Sequence, residues 1–393
     1  MRKYNKFSSL IIGMGFPLSQ LTLLLYIPVL LLIRHSFGVT TQQILFSFSI
    51  ILVGYTIGNL FWGTLSDYMG RRKALLMGLV GYLIVSFLVP LAQDYIMFLI
   101  LLALHGFLAA TFTSIGNAML KDIHGHEKVA RVIAFVGIAM ATTPVVAPVI
   151  GSSLFHYLGW HAIYYFMGVY AIIMLLGLLV FVPPATSRNV PQQSTLIDGI
   201  KSHFTNREYM GYLISLALLF GGIMSTLEIL PIIYTHYLSL SILTFGYLGL
   251  VILVPYPLGS IIASKLVDDL GTYRVMSFGV LLSILSAIVI GVLAILMIKN
   301  IVLISIVIAF LFLGFGLALS MAKAGAMISV HHHLGSASSL MKFVQSLGAM
   351  VITAINAHLH QQNAISQYTL LLCATLILSF IVLKYCVLAR QKN

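Results

Sequence analysis

The chain has 393 residues, of which 60% are hydrophobic and 8% charged, with a mean hydropathy of +1.06. That excludes a soluble globular protein, whose charged share is usually about a quarter. The formal charge of +12 does not indicate nucleic-acid binding, because the basic residues stand in short groups at the ends of apolar runs, where they report membrane orientation.

A helix crossing the hydrocarbon needs about 20 mostly apolar residues. Twelve such runs are predicted, at 10–33, 42–64, 74–93, 95–119, 130–155, 161–183, 211–236, 243–264, 275–298, 301–328, 336–358 and 367–389. The basic opening, Met1 to Lys6, followed by an apolar run, is similar to a signal peptide, but that run is too long and lacks a small-residue cleavage site. An uncleaved first helix is expected. The one long connection divides the chain into a six-helix bundle over 1–183, a linker over 184–209 and a second six-helix bundle over 210–393. With the N-terminus inside, the segments on the outer side hold only Arg34 and Lys299 as basic residues, so both termini are expected in the cytoplasm. Cys373 and Cys386, both in the last run, imply no disulfide framework.

The second and third runs are joined by Gly58-Asn-Leu-Phe-Trp-Gly-Thr-Leu-Ser-Asp-Tyr-Met-Gly-Arg-Arg-Lys73. From Gly259 the chain repeats the pattern, with Asp268, Gly271 and Arg274 at the offsets that Asp67, Gly70 and Lys73 have from Gly58. The chain is therefore a duplicated unit. Gly58, Gly63, Asp67, Gly70, Arg71 and Arg72 resemble the loop signature of the major facilitator superfamily of secondary transporters. The resemblance implies an all-α membrane protein with twelve transmembrane helices in two pseudo-repeated six-helix bundles, rocking between inward-open and outward-open states. It also implies that Asp67, Arg71 and Asp122, at the inner end of helix four, form a charge cluster gating the cytoplasmic side, with Arg72, Asp268 and Arg274 in the same role.

In the fifth run, Pro144, Pro148, Gly151 and Ser152 predict a kinked, closely packed helix, since proline removes an intrahelical bond and small residues admit a neighbour. The stretch resembles the helix-five signature of drug/proton antiporters in this superfamily. With Ala118-Met-Leu-Lys-Asp-Ile, Gly159-Trp-His-Ala-Ile and Gly335-Ser-Ala-Ser-Ser-Leu it is similar to the bicyclomycin-resistance (Bcr/CflA) branch. The chain departs from that pattern in its proton-coupling residues. Its first run has no acid, and on helix four Leu102 and His105 stand where an arginine and a glutamine are usual.

Ionisable groups lie instead in the second half. Glu228 is the only carboxylate well inside any run, and an intramembrane acid is by default functional. It is expected toward the outer side, with Pro231 one turn later opening the helix beside it. Two readings stay open, a proton carrier or a hydrated structural acid. His105 is a second proton-coupling candidate, or a hydrogen-bonded packing histidine. Lys323 and Lys342, on helices ten and eleven, either hold an anionic substrate or reach to the cytoplasmic surface. Tyr26, Tyr55 and Tyr256 are candidate cavity residues. His331 to His333 read as a basic loop end, with no metal site expected.

No constellation of nucleophile, base or metal ligands suggests an enzyme, and no cofactor is expected. The expected function is alternating-access transport of a small organic solute across a bacterial inner membrane. The resemblance implies proton-coupled efflux, of an anionic metabolite, a siderophore or a drug. A proton-coupled importer of an anion and a non-transporting receptor are the alternatives. The expected partners are solute, protons and lipid, and the expected state is a monomer.

Overall fold

The computed structural model describes residues 6–182, 206–330, 334–359 and 364–388, with side chains described for all of these except 6, 117, 121–135, 137–138, 334–336, 364 and 388. These residues are helical almost throughout. The helices are α1 (Lys6–Leu24), α2 (Leu30–Phe37), α3 (Thr41–Met69), α4 (Arg71–Leu88), α5 (Tyr95–Leu158), α6 (His161–Phe181), α7 (Arg207–Pro231), α8 (Ile242–Leu253), α9 (Pro255–Ile295), α10 (Ile301–Ile328), α11 (Leu334–Leu359) and α12 (Ala364–Leu383). In lipid every backbone polar group needs an internal partner, and the helix supplies it.

Ten stretches among the described residues are long and apolar enough to span a membrane. Two helical stretches each run as two arms. The stretch Ile242–Ile295 divides at Gly271, whose φ of 77° and ψ of 158° interrupt the helix. Helix α5, with 64 residues, would be about 96 Å long if straight. Its contacts exclude that. On its first arm Gly116 faces Phe16 and the Ser19 hydroxyl donates to the Ala109 carbonyl; on its second, Val136 faces Gly13 and Gly151 faces Leu25. One arm is thus antiparallel to α1 and the other parallel. Only Tyr95–Leu120 of α5 is among the ten spans.

The chain forms two compact units, 1–39 with 50–191, and 40–49 with 192–393. Each carries the same crossing. In the first, the Gly54 and Gly58 Cα atoms lie against the Ala103 and Phe107 carbonyls of α5, and Gly106 lies against the Ile51 carbonyl. In the second, Gly259 lies against the Leu313 carbonyl of α10 and Gly316 against that of Tyr256. Lipid tails are as apolar as leucine, so helices in a membrane associate through such close backbone approach. The Gly54-x-x-x-Gly58 pair is thus buried inside its own unit. At the following turn both copies place a glycine with positive φ, Gly70 at 91° and Gly271 at 77°. That backbone region favours glycine.

Each unit also has a helix interrupted beside a proline. Pro28 offers no N–H to the Leu24 carbonyl, and the Val29 N–H turns to the Tyr26 carbonyl at 3.1 Å, within a 3₁₀ turn over Ile27–Val29. Pro231 likewise offers none to the Leu227 carbonyl, and the chain continues as a π-helix over Ile232–Tyr237. The opening expected beside Pro231 is therefore present. Helix α5 stays helical through Pro144 and Pro148.

Candidate transport site

Helix α7 positions Glu228 one turn before its proline and carries it against α11. Along α11, Gly348, Ile352 and Asn356 recur at a spacing of four, one ridge of the helix. Gly348 lies against the Ala217 carbonyl, Ile352 fills the space at Gly221, and Asn356 meets Glu228. The Asn356 amide Nδ2 donates to Glu228 Oε2 at 2.9 Å. Both side chains are buried, Glu228 at 1% exposure and Asn356 at 0%. Glu228 is therefore not the hydrated surface acid that the sequence left open. Its Oε1 and the Asn356 Oδ1 are buried without a hydrogen-bond partner. An ionised carboxylate and an amide oxygen only accept, so both are short of a donor. Two residues before Glu228 and on another face of α7, Thr226 accepts from the Tyr368 hydroxyl at 2.7 Å, which ties α12 to α7.

In the first unit His105 is fully buried among aromatic rings. It stacks on Tyr82 with ring centroids 4.4 Å apart and meets Tyr164 at 5.9 Å. Its Nε2 lies 2.9 Å from the Ser86 hydroxyl, which donates to the Tyr82 carbonyl at 2.7 Å. A hydroxyl has one proton, so Nε2–H is the donor to Ser86 and Nδ1, which has no partner, holds the bare lone pair. The Tyr82 hydroxyl, 2.7 Å from that of Thr22, links the cluster to α1. His105 thus has the hydrogen-bonded packing that the sequence offered as one of its two readings.

Lys323 on α10 and Lys342 on α11 are half-buried. Among the other candidates, Tyr26 is buried at the interruption after α1 and packs on Tyr164 at 6.4 Å. The Tyr55 hydroxyl donates to Thr113 at 3.1 Å, which donates in turn to Asn59 Oδ1 at 3.1 Å. Tyr256 is half-buried on α9. In the loop motif Arg72 donates to the Leu179 carbonyl at 3.3 Å, at the end of α6, and Asp67 and Arg71 are half-buried. Asp268 and Arg274 in the second copy are exposed. The side chain of Asp122 and all of His331–His333 lie outside the described residues. Asn356 is a site residue that the sequence candidates for coupling and binding, which are ionisable and tyrosine side chains, do not include; an amide within an apolar run is its signal.

The model of the Major Facilitator Superfamily matches residues 10–353. A bicyclomycin resistance protein homolog of Haemophilus influenzae is 23% identical over 67% of this chain and 67% of its own length. The chloramphenicol resistance protein CraA of Acinetobacter baumannii is 27% identical over 64% of this chain and 61% of its own. Among solved structures, a D-xylose–proton symporter superposes with a TM-score of 0.80 at 15% identity, covering 96% of this chain and 97% of that one. Given the family model's match over residues 10–353, with the duplicated glycine crossings and the membrane-spanning helices, this chain belongs to the Major Facilitator Superfamily: it is a multi-pass secondary transporter and not an enzyme.

Proposed function

We propose that the chain is a proton-coupled exporter of a small organic solute, working by alternating access between two six-helix halves in a bacterial inner membrane, with both termini cytoplasmic. The observation that carries this reading is Glu228, a buried intramembrane acid bonded to Asn356 through one oxygen only. Burying a charge in hydrocarbon is expensive enough that such a group is kept for a task. A carboxyl that gains and loses a proton changes both its charge and its donor count, and so biases two conformations differently. The names of the relatives from Haemophilus influenzae and Acinetobacter baumannii, resistance to bicyclomycin and to chloramphenicol, support outward transport of a small organic molecule. Lys323 and Lys342 are proposed to receive an anionic group on the solute. Asp67, Arg71 and Asp122 are proposed as the gate that holds one state.

The test is flux in proteoliposomes of known orientation, loaded in turn with anionic, cationic and neutral solutes under an imposed pH gradient. The reading expects solute to leave the cytoplasmic side as protons enter it. Solute and protons moving together in one direction would make the chain an importer. No gradient-dependent flux of any solute would remove proton coupling from the account.

A further inference from the structure

Resting on that proton-coupled reading, we infer that the proton is held jointly by Glu228 and Asn356, so that Asn356 is a positioning residue of the proton site. Two deficits fall on a pair of side chains already joined by one bond. Asn356 Nδ2 already donates to Glu228 Oε2, and the remaining oxygen of each group, Oε1 and Oδ1, is buried and without a donor. One proton on Oε1 turns it into a hydroxyl that donates to Oδ1, and the acid and the amide then share two bonds in a ring. When the proton leaves, Oε1 and Oδ1 are again two buried acceptors with no donor from the protein, an arrangement disfavoured for each unsatisfied group. Loss of the proton therefore loosens α7 from α11 at this point. The same contact line includes the Gly348 and Gly221 crossing, and it ends where Pro231 has released the Leu227 carbonyl.

No other charged group takes part. Helix α10 brings Lys323, but at the far end of α7, where Tyr212 packs on Gly325. Lys342 stands 14 residues before Asn356 on α11, about 21 Å along the helix. His358, two residues after Asn356, is exposed, and Lys299 lies over the Tyr237 ring at 5.2 Å, beyond the π-helical turn. Of the tyrosines on the packed helices, Tyr368 is bonded to Thr226 and Tyr234 to Ser305. Among the described residues, Asn356 is thus the only polar partner that Glu228 has.

Infrared difference spectroscopy of the full chain in lipid, recorded while the pH is stepped, reads the carboxylic C=O stretch directly and needs no substrate. Wild type is expected to show one buried-acid band that disappears as pH rises and is missing in Glu228→Gln. In Asn356→Leu that band moves to higher frequency, because the acid has lost both bonds. A band at the wild-type frequency in Asn356→Leu overturns the role of Asn356 and leaves Glu228 as the proton site. A wild-type spectrum indistinguishable from that of Glu228→Gln at every pH removes the proton from Glu228 and overturns both readings. Asn356→Asp, nearly identical in size, covers the case in which the leucine variant does not fold. Two hydrogen-bonded carboxyls titrate as a coupled pair, so two separated steps are expected. Two carboxyls lost together in a single uncoupled step overturn the inference.

Discussion

The two glycine crossings give the most quantitative expectation. A methyl group at Gly58 would strike the Phe107 carbonyl and stand 2.9 Å from the Ala110 Cβ, and one at Gly259 would strike the Leu313 carbonyl. In both cases the obstacle is helix backbone, which no rotamer change relieves. Gly58→Ala and Gly259→Ala therefore force two helices apart, and overpacking of this kind typically costs about 1–3 kcal/mol. Alanine's better helix propensity returns at most about 1 kcal/mol. Gly63, on the same helix and in the same motif, meets nothing within 4 Å, so Gly63→Ala is the internal control. For units of this size each kcal/mol is worth about 2–4 °C in Tm. Thermal unfolding of purified protein in detergent should place Gly58→Ala and Gly259→Ala several degrees below wild type, with Gly63→Ala at or above it. Equal Tm values for Gly58→Ala and Gly63→Ala would refute the close crossing.

Further expectations follow from single sites. Gly70→Ala and Gly271→Ala place a side chain where φ is 91° and 77°, and each should destabilise by about 1–3 kcal/mol although nothing lies within 4 Å; no loss in the same thermal assay would contradict the turn geometry. His105→Ala removes a buried ring between Tyr82 and Tyr164 and leaves Ser86 without its donor, a loss of about 2–4 kcal/mol readable as lowered thermal stability. Asp67→Asn should slow transport while membrane insertion and surface level stay at wild type; unchanged flux at equal expression speaks against the gate.

The fold was legible in the sequence because its strongest signals are chemical necessities. A span of about 20 apolar residues has few alternatives, and a positive-φ turn favours the glycine found at both Gly70 and Gly271. The candidate site was legible only in part. Glu228 stood out as the one acid inside a run, and Pro231 announced the opened turn. Its environment did not, because Asn356 lies 128 residues away and the meeting depends on how α7 and α11 are registered. The same limit applies to His105, whose partners Ser86 and Tyr82 come from α4. Helical periodicity within one run carries no information about which residue of another run it will face.

The central claim is that Glu228 couples proton movement to solute movement, and the most direct test compares wild type with Glu228→Gln in proteoliposomes, measuring solute exchange at equal pH and net flux under a pH gradient. The account predicts that the variant keeps exchange and loses the response to the gradient. Gradient-driven flux that survives in Glu228→Gln would contradict it.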